Sequence, residues 1–160
     1  MTDRVPLSNA GVRFPPPFLF VIAFLSGWMI DRYWHALPLS RFLGPARVPF
    51  GVAALALGFV LAVWGVMTFR RAKTAIRPNV SASQLVTHGP YRFTRNPMYT
   101  GLTLQYLGGA ALINSAWPII VLPVAIFILI QTVISREEMY LSDAFGAEYA
   151  GYAANVRRWL

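Results

Sequence analysis

Apolar and polar positions fall into long blocks along this chain, not into the short alternations of a water-soluble fold. Residues 18–30 are apolar except for Ser26 and Gly27, and residues 48–69 form a run of 22 without a charge. Two further runs, 98–113 and 116–134, are separated only by Asn114-Ser115. About 20 apolar residues suffice to cross the hydrocarbon of a bilayer as a helix. The pattern therefore predicts an all-α polytopic integral membrane protein. Its four transmembrane helices would cover about 16–34, 48–69, 98–113 and 116–134, within a single domain over 1–160.

Local signals refine these helices. Pro15-Pro16-Pro17 suits a helix start, where a missing N–H costs nothing. Residues 27–30 make a poor cleavage site and three more apolar runs follow, so the first run reads as a retained span and not as a signal peptide. Gly51, Ala54, Gly58, Ala62 and Gly65 place small residues about a turn apart, a stripe that lets helices approach closely in lipid. Pro118 suits a first turn, whereas Pro123 should kink the fourth helix. Beyond it, Phe145, Tyr149, Tyr152 and Val156 recur at helical spacing, predicting an amphipathic C-terminal cap within 136–160.

Charge adds orientation. Of 14 Lys and Arg residues, 11 lie in the first tail, in residues 70–97 and after the fourth run, all on one side of a four-span chain. The positive-inside rule puts that side in the cytoplasm. With 56% hydrophobic and 12% charged residues, the net charge of +8 suits anionic lipid headgroups, and nucleic acid is not an expected partner. The chain has no cysteine and two histidines far apart, His35 and His88, so no metal site is expected.

Polar and backbone-special residues crowd into 88–101, His-Gly-Pro-Tyr-Arg-Phe-Thr-Arg-Asn-Pro-Met-Tyr-Thr-Gly. Gly89-Pro90 and Asn96-Pro97 are turn dipeptides, so this is a shaped loop at the mouth of a helix. The order Leu85-Val86-Thr87-x-Gly89-Pro90-Tyr91-Arg92-x-x-Arg95-Asn96-Pro97-x-Tyr99-x-Gly101 resembles the core motif of the isoprenylcysteine carboxyl methyltransferase family, which is similar to the phospholipid N-methyltransferases. A second stretch resembles the same family's C-terminal half. Glu137, Glu138, Leu141, Phe145, Gly146, Glu148, Tyr149, Tyr152, Val156 and Arg158 fill it, and the two together cover about residues 72–160.

The resemblance implies a methyltransferase that uses S-adenosylmethionine, yields S-adenosylhomocysteine and acts on a lipophilic or lipidated acceptor among membrane lipids. The absence of a Gly-x-Gly-x-x-Gly after a strand agrees that no Rossmann domain is involved. By position, the family's cofactor contacts fall on Gln84, Leu85, Val86, Tyr91, Asn96, Pro97, Met98 and Tyr99, in a loop over 81–99 that also holds His88 and Arg92, and on Glu137 outside it. Arg92 or Arg95 would hold the cofactor's carboxylate. Arg95 and Glu138 are the catalytic candidates, Glu138 as the base that an amine acceptor requires and a carboxylate acceptor does not. Leu102, Arg136 and Arg158 are the substrate candidates, with a lateral opening expected between the 98–134 hairpin and the 48–69 span. Asn96 stands where the prenylcysteine members have His, and an arginine they carry near the end of the fourth span has no clear match here. The acceptor therefore stays open between carboxylate and amine. A non-catalytic cofactor-binding protein is the alternative. A small transporter fits poorly, since no Asp, Glu, Lys, Arg or His lies within 48–69, 98–113 or 116–134.

Overall fold

The computed structural model describes residues 15–34, 37–73 and 83–159. The tail 1–14, His35, the Arg77-Pro78 step, the first two residues of the 81–99 loop and Leu160 lie outside the described residues. Among the described residues every regular element is helical. Helix α1 is Pro16–Tyr33, α2 is the short Ser40–Leu43, and α3 is Arg47–Arg71. Helix α4 is Pro97–Leu112 and α5 is Trp117–Leu129. A π turn at Ile130–Ile134 joins α5 directly to α6, Ser135–Asn155.

Two stretches, Ser40–Arg71 and Trp117–Asn155, are long and apolar enough to cross a membrane. The outward faces of the bundle are apolar as well. Phe18 and Ile22 of α1, Val52 and Phe59 of α3, and Val124 and Phe127 of α5 are all exposed. Exposed apolar faces this extensive are tolerated in lipid and not in water.

The four main helices pack as two antiparallel pairs, α3 against α4 and α1 against α5. The first seam is set by glycine. A Cβ on Gly58 would stand 2.5 Å from the Gly101 carbonyl oxygen, and one on Gly108 would stand 2.7 Å from that of Gly51. The stripe read from the sequence is thus a packing seam. The second pair meets where Gly27 lies against the backbone of Pro118, at 2.5 Å for a notional Cβ. Between the pairs sits a core of Phe20, Tyr106, Leu122, Leu129, Val133 and Ile134.

One end of the bundle is knitted by polar groups. Asn114, in the left-handed region at φ +60°, turns the chain from α4 to α5. Its Oδ1 accepts from the Ser40 N–H at 2.6 Å, and the Ala116 N–H donates to the Leu37 carbonyl at 3.0 Å. Arg47 Nη1 donates to the last carbonyls of α4, Ala111 and Leu112, a cation at a helix C-terminus. Asp31 accepts from Ser115 at 2.8 Å. The connector 37–47 and the hairpin turn therefore share one end, which leaves the motif loop at the other.

Two sequence expectations are corrected. The C-terminal cap is not a separate helix, because α5 runs through the π turn into α6 without a break. The single amphipathic helix is instead divided at Gly146 (φ +48°, ψ −119°), so Phe145 precedes a reversal that Tyr149 and Tyr152 follow. The expected lateral opening between α3 and the hairpin is closed by the glycine seam. An apolar groove of about 270 Å³ runs instead between α1 and α4, lined by Phe20, Phe24, Leu25, Leu102 and Tyr106 among others.

Candidate active site

The site is assembled from two segments about forty residues apart in sequence, at the end of the bundle opposite the hairpin turn. The first is the motif loop. Its 3-10 turn, Gly89–Arg92, begins with Gly89 at φ +63°. A side chain at Gly89 would meet Thr68 Oγ1 at 2.8 Å, so the loop is pressed onto the end of α3. Pro90 and Tyr91 are buried, and the Tyr91 ring meets Phe69 edge to face at 5.1 Å. Asn96 then precedes α4, and its carbonyl accepts from the Thr100 N–H and hydroxyl at 2.9 and 3.0 Å. Pro97 at the first helical position places Tyr99 in the opening turn.

The second segment is α6. Because α6 continues α5, its first turn carries Glu137 and Glu138 to the motif loop. They take different partners. Glu137 Oε1 accepts from the Tyr99 hydroxyl at 2.8 Å. Burial pushes the Glu137 carboxyl up from the ordinary 4.5 to about 7; the Tyr99 bond opposes that shift and the Glu138 charge adds to it. Glu138 is forked by Arg158, with Nε to Oε1 at 2.9 Å and Nη2 to Oε2 at 2.6 Å, and Arg95 Nη1 approaches Oε1 at 3.2 Å. The fork and the Glu138 charge push the Arg158 guanidinium up against a smaller desolvation effect.

After Gly146 the chain folds back over the loop. Arg95 Nη1 donates to the Tyr149 hydroxyl at 3.1 Å, and the Tyr152 hydroxyl donates to the Tyr91 carbonyl at 2.7 Å. The Arg95 N–H donates to the Arg157 carbonyl at 2.9 Å. The Thr94 hydroxyl and the Asn96 amide both donate to the Arg158 carbonyl, at 3.0 and 3.1 Å. Among the described residues, two buried polar atoms stay without a partner, the Tyr91 hydroxyl and Arg95 Nε. Burial pushes the Tyr91 hydroxyl well above the ordinary tyrosine range, helped by the charge of Glu137, so it is held as a neutral O–H. Burying such a group without a hydrogen bond is costly, and a bound polar ligand would remove that cost.

Of the residues singled out in the sequence, Tyr91, Arg95, Asn96, Tyr99, Glu137, Glu138 and Arg158 converge. Others lie apart. Met98 packs toward Gly65 of α3, and Val86 is buried below the loop. Gln84 donates from its side chain to the Ala72 carbonyl at the end of α3. His88, Arg92 and Arg136 are exposed, Arg92 with its guanidinium 4.9 Å from the Phe93 ring centre. Leu85 is half-buried, Pro97 is buried in the opening turn of α4, and Leu102 lines the α1–α4 groove. The sequence reading missed Thr94 and Thr68. Both are buried and neither carries a pattern that marks it. No group of acids or histidines able to hold a metal occurs among the described residues.

Comparison with known proteins places this geometry in context. Residues 46–148 match the family described as phospholipid methyltransferase. Protein-S-isoprenylcysteine O-methyltransferase A of Arabidopsis thaliana is 28% identical over 109 residues, covering 67% of this chain and 55% of that protein. A probable protein-S-isoprenylcysteine O-methyltransferase of Oryza sativa subsp. japonica is 29% identical over 112 residues, 69% of this chain and 59% of its own. The cobalt-zinc-cadmium resistance protein CzcN of Cupriavidus metallidurans is 30% identical over 121 residues, 76% of this chain and 52% of its own. The chain thus spans about half the length of the curated relatives it matches. No solved structure matches.

Proposed function

Since this chain belongs to the phospholipid methyltransferase family, we propose that it is an S-adenosylmethionine-dependent membrane methyltransferase acting on a lipophilic acceptor, in the manner of the isoprenylcysteine carboxyl O-methyltransferases it resembles. We read it as one integral membrane domain of four spans, in a bacterial inner membrane, with the motif loop in the cytoplasm. The observation that carries the reading is the meeting of Tyr91, Tyr99 and Glu137, where a buried hydroxyl lacks a partner beside a carboxyl that accepts from the Tyr99 hydroxyl. Unsatisfied donors and a carboxylate suit a cofactor that bears hydroxyls, a carboxylate and cationic groups.

When bound, the cofactor supplies a methyl group activated by its sulfonium charge. The chain's part is to position, to neutralise and to exclude water. Tyr91 and Tyr99 offer aromatic faces, which favour a nearby cation. Glu137 offers an acceptor for hydroxyl or ammonium groups, and Arg95 Nε a donor for a carboxylate. The backbone of 84–86 and of 96–98 lies along the same loop. In-line displacement draws mostly on such positioning and on desolvation.

The acceptor remains a choice between a carboxylate and an amine. A carboxylate needs no base. An amine needs one, and the Glu137 carboxyl, balanced near pH 7, is better placed to exchange a proton than a fully engaged Glu138. The experiment is to incubate purified protein with methyl-labelled S-adenosylmethionine and a native lipid extract, then identify the labelled species. A base-labile methyl ester would mark carboxyl transfer, and a base-stable product would mark amine transfer. No labelled lipid at all, with the cofactor still bound, would favour a non-catalytic cofactor-binding protein.

A further inference from the structure

Glu138 neighbours Glu137 in sequence, yet its carboxylate is turned to a different set of groups. Three guanidinium nitrogens contact it, Arg158 Nε and Nη2 and Arg95 Nη1. A carboxylate has about four acceptor directions, so these contacts take most of them. Little is left with which to meet a reacting group.

Arg158 carries that anchorage into the backbone. After α6 the chain turns extended at Val156 (φ −120°, ψ 127°) and lies along residues 94–96. The Arg157 carbonyl accepts from the Arg95 N–H, and the Arg158 carbonyl accepts from Thr94 and Asn96. Tyr149 and Tyr152 add bonds to Arg95 and to the Tyr91 carbonyl. Residues 147–158 thus form a strap across the motif loop, held largely by polar bonds. The strap begins at Gly146, whose φ of +48° suits glycine and whose notional Cβ would meet nothing within 4 Å. It crosses the two residues that hold the unpartnered buried atoms, Tyr91 and Arg95.

We propose that Glu138 is a positioning residue which, through Arg158 and Arg95, latches the strap of residues 147–158 over the motif loop and so retains the cofactor. Glu138 transfers no proton in this arrangement. The proposal rests on the reading of the loop as a cofactor pocket. It differs from the sequence expectation, in which Glu138 was the base and Arg95 a catalytic partner.

The test uses the whole chain in lipid nanodiscs, with Glu138→Gln, Arg158→Gln, the double variant and Arg158→Lys. Three quantities are read: dissociation of S-adenosylhomocysteine, steady-state kinetics, and amide exchange over 147–158 without ligand. Each Gln variant should speed dissociation roughly tenfold, the lower end for loss of a hydrogen bond to a charged group. KM for the cofactor should rise in step while kcat at saturating cofactor holds. The double variant should be no worse than either single one, because both remove the same link. Exchange over 147–158 should rise in all three, and Arg158→Lys, which keeps the charge without the fork, should fall between them and the parent.

Additive effects in the double variant would overturn the latch. So would a fall in kcat at saturating cofactor with the strap still protected, which would restore Glu138 to the chemistry. Unchanged exchange in Glu138→Gln would overturn it while leaving the methyltransferase reading intact. A parent protein that binds neither cofactor nor product would overturn the reading and, with it, cofactor retention as the latch's purpose.

Discussion

Burial makes Glu137 reluctant to ionise, and the Tyr99 hydroxyl partly offsets that reluctance. The folded-state value lies above the unfolded one, so this residue's contribution to stability is full below about pH 4.5 and is lost as the pH rises through about 7. Ligand-free protein in detergent should therefore lose thermal stability across that window, and Glu137→Gln should flatten the profile. Tyr99→Phe removes the bond that lowers the Glu137 value, so it should move the upper edge of the window to higher pH. A profile of unfolding temperature against pH for the three proteins checks this, and identical slopes in all of them would remove Glu137 as its source.

The helices show which parts of the design the sequence makes legible. The α3–α4 seam is readable because glycine at 51, 58 and 65 repeats every seven residues, and the structure brings Gly51 and Gly58 onto Gly108 and Gly101. Gly58→Val should destabilise the bundle by about 1–3 kcal/mol or more, as overpacking does, since the carbonyl it would strike belongs to the rigid backbone of α4. Gly151→Ala, where a Cβ meets nothing within 4 Å, should be neutral or slightly stabilising. Thermal unfolding in detergent separates the two. The Tyr99–Glu137 meeting is also foreshadowed, because both residues sit in ordered motifs. The joining of α5 to α6 is not, since the π turn contains neither glycine nor proline to mark it. The reversal at Gly146 is hidden too. The spacing of Phe145, Tyr149, Tyr152 and Val156 mimics one continuous helix, and only the backbone angles reveal that the chain turns back.

Across the whole molecule, the connector 37–47 and the 113–116 turn are bonded to each other at one end, while the motif loop and the strap meet at the other. On the four-span reading, reporters fused after residues 40, 85, 114 and 160 should alternate between outside and cytoplasm, beginning outside. A cytoplasmic reporter at 114 would exclude the hairpin as a transmembrane unit. The helices of this bundle differ in reach. At about 1.5 Å per residue, the 25 residues of α3 rise about 37 Å, whereas the 16 of α4 rise only about 24 Å. A hydrocarbon core is about 30 Å thick, and a short span is accommodated by thinning the bilayer around it. On the four-span reading the motif loop, tied to the start of the short helix, would sit in a dimple of the membrane surface. Neighbouring headgroups would then sink toward Tyr99 and Glu137, and a lipid would present its polar end to the pocket while its chains stay in the hydrocarbon.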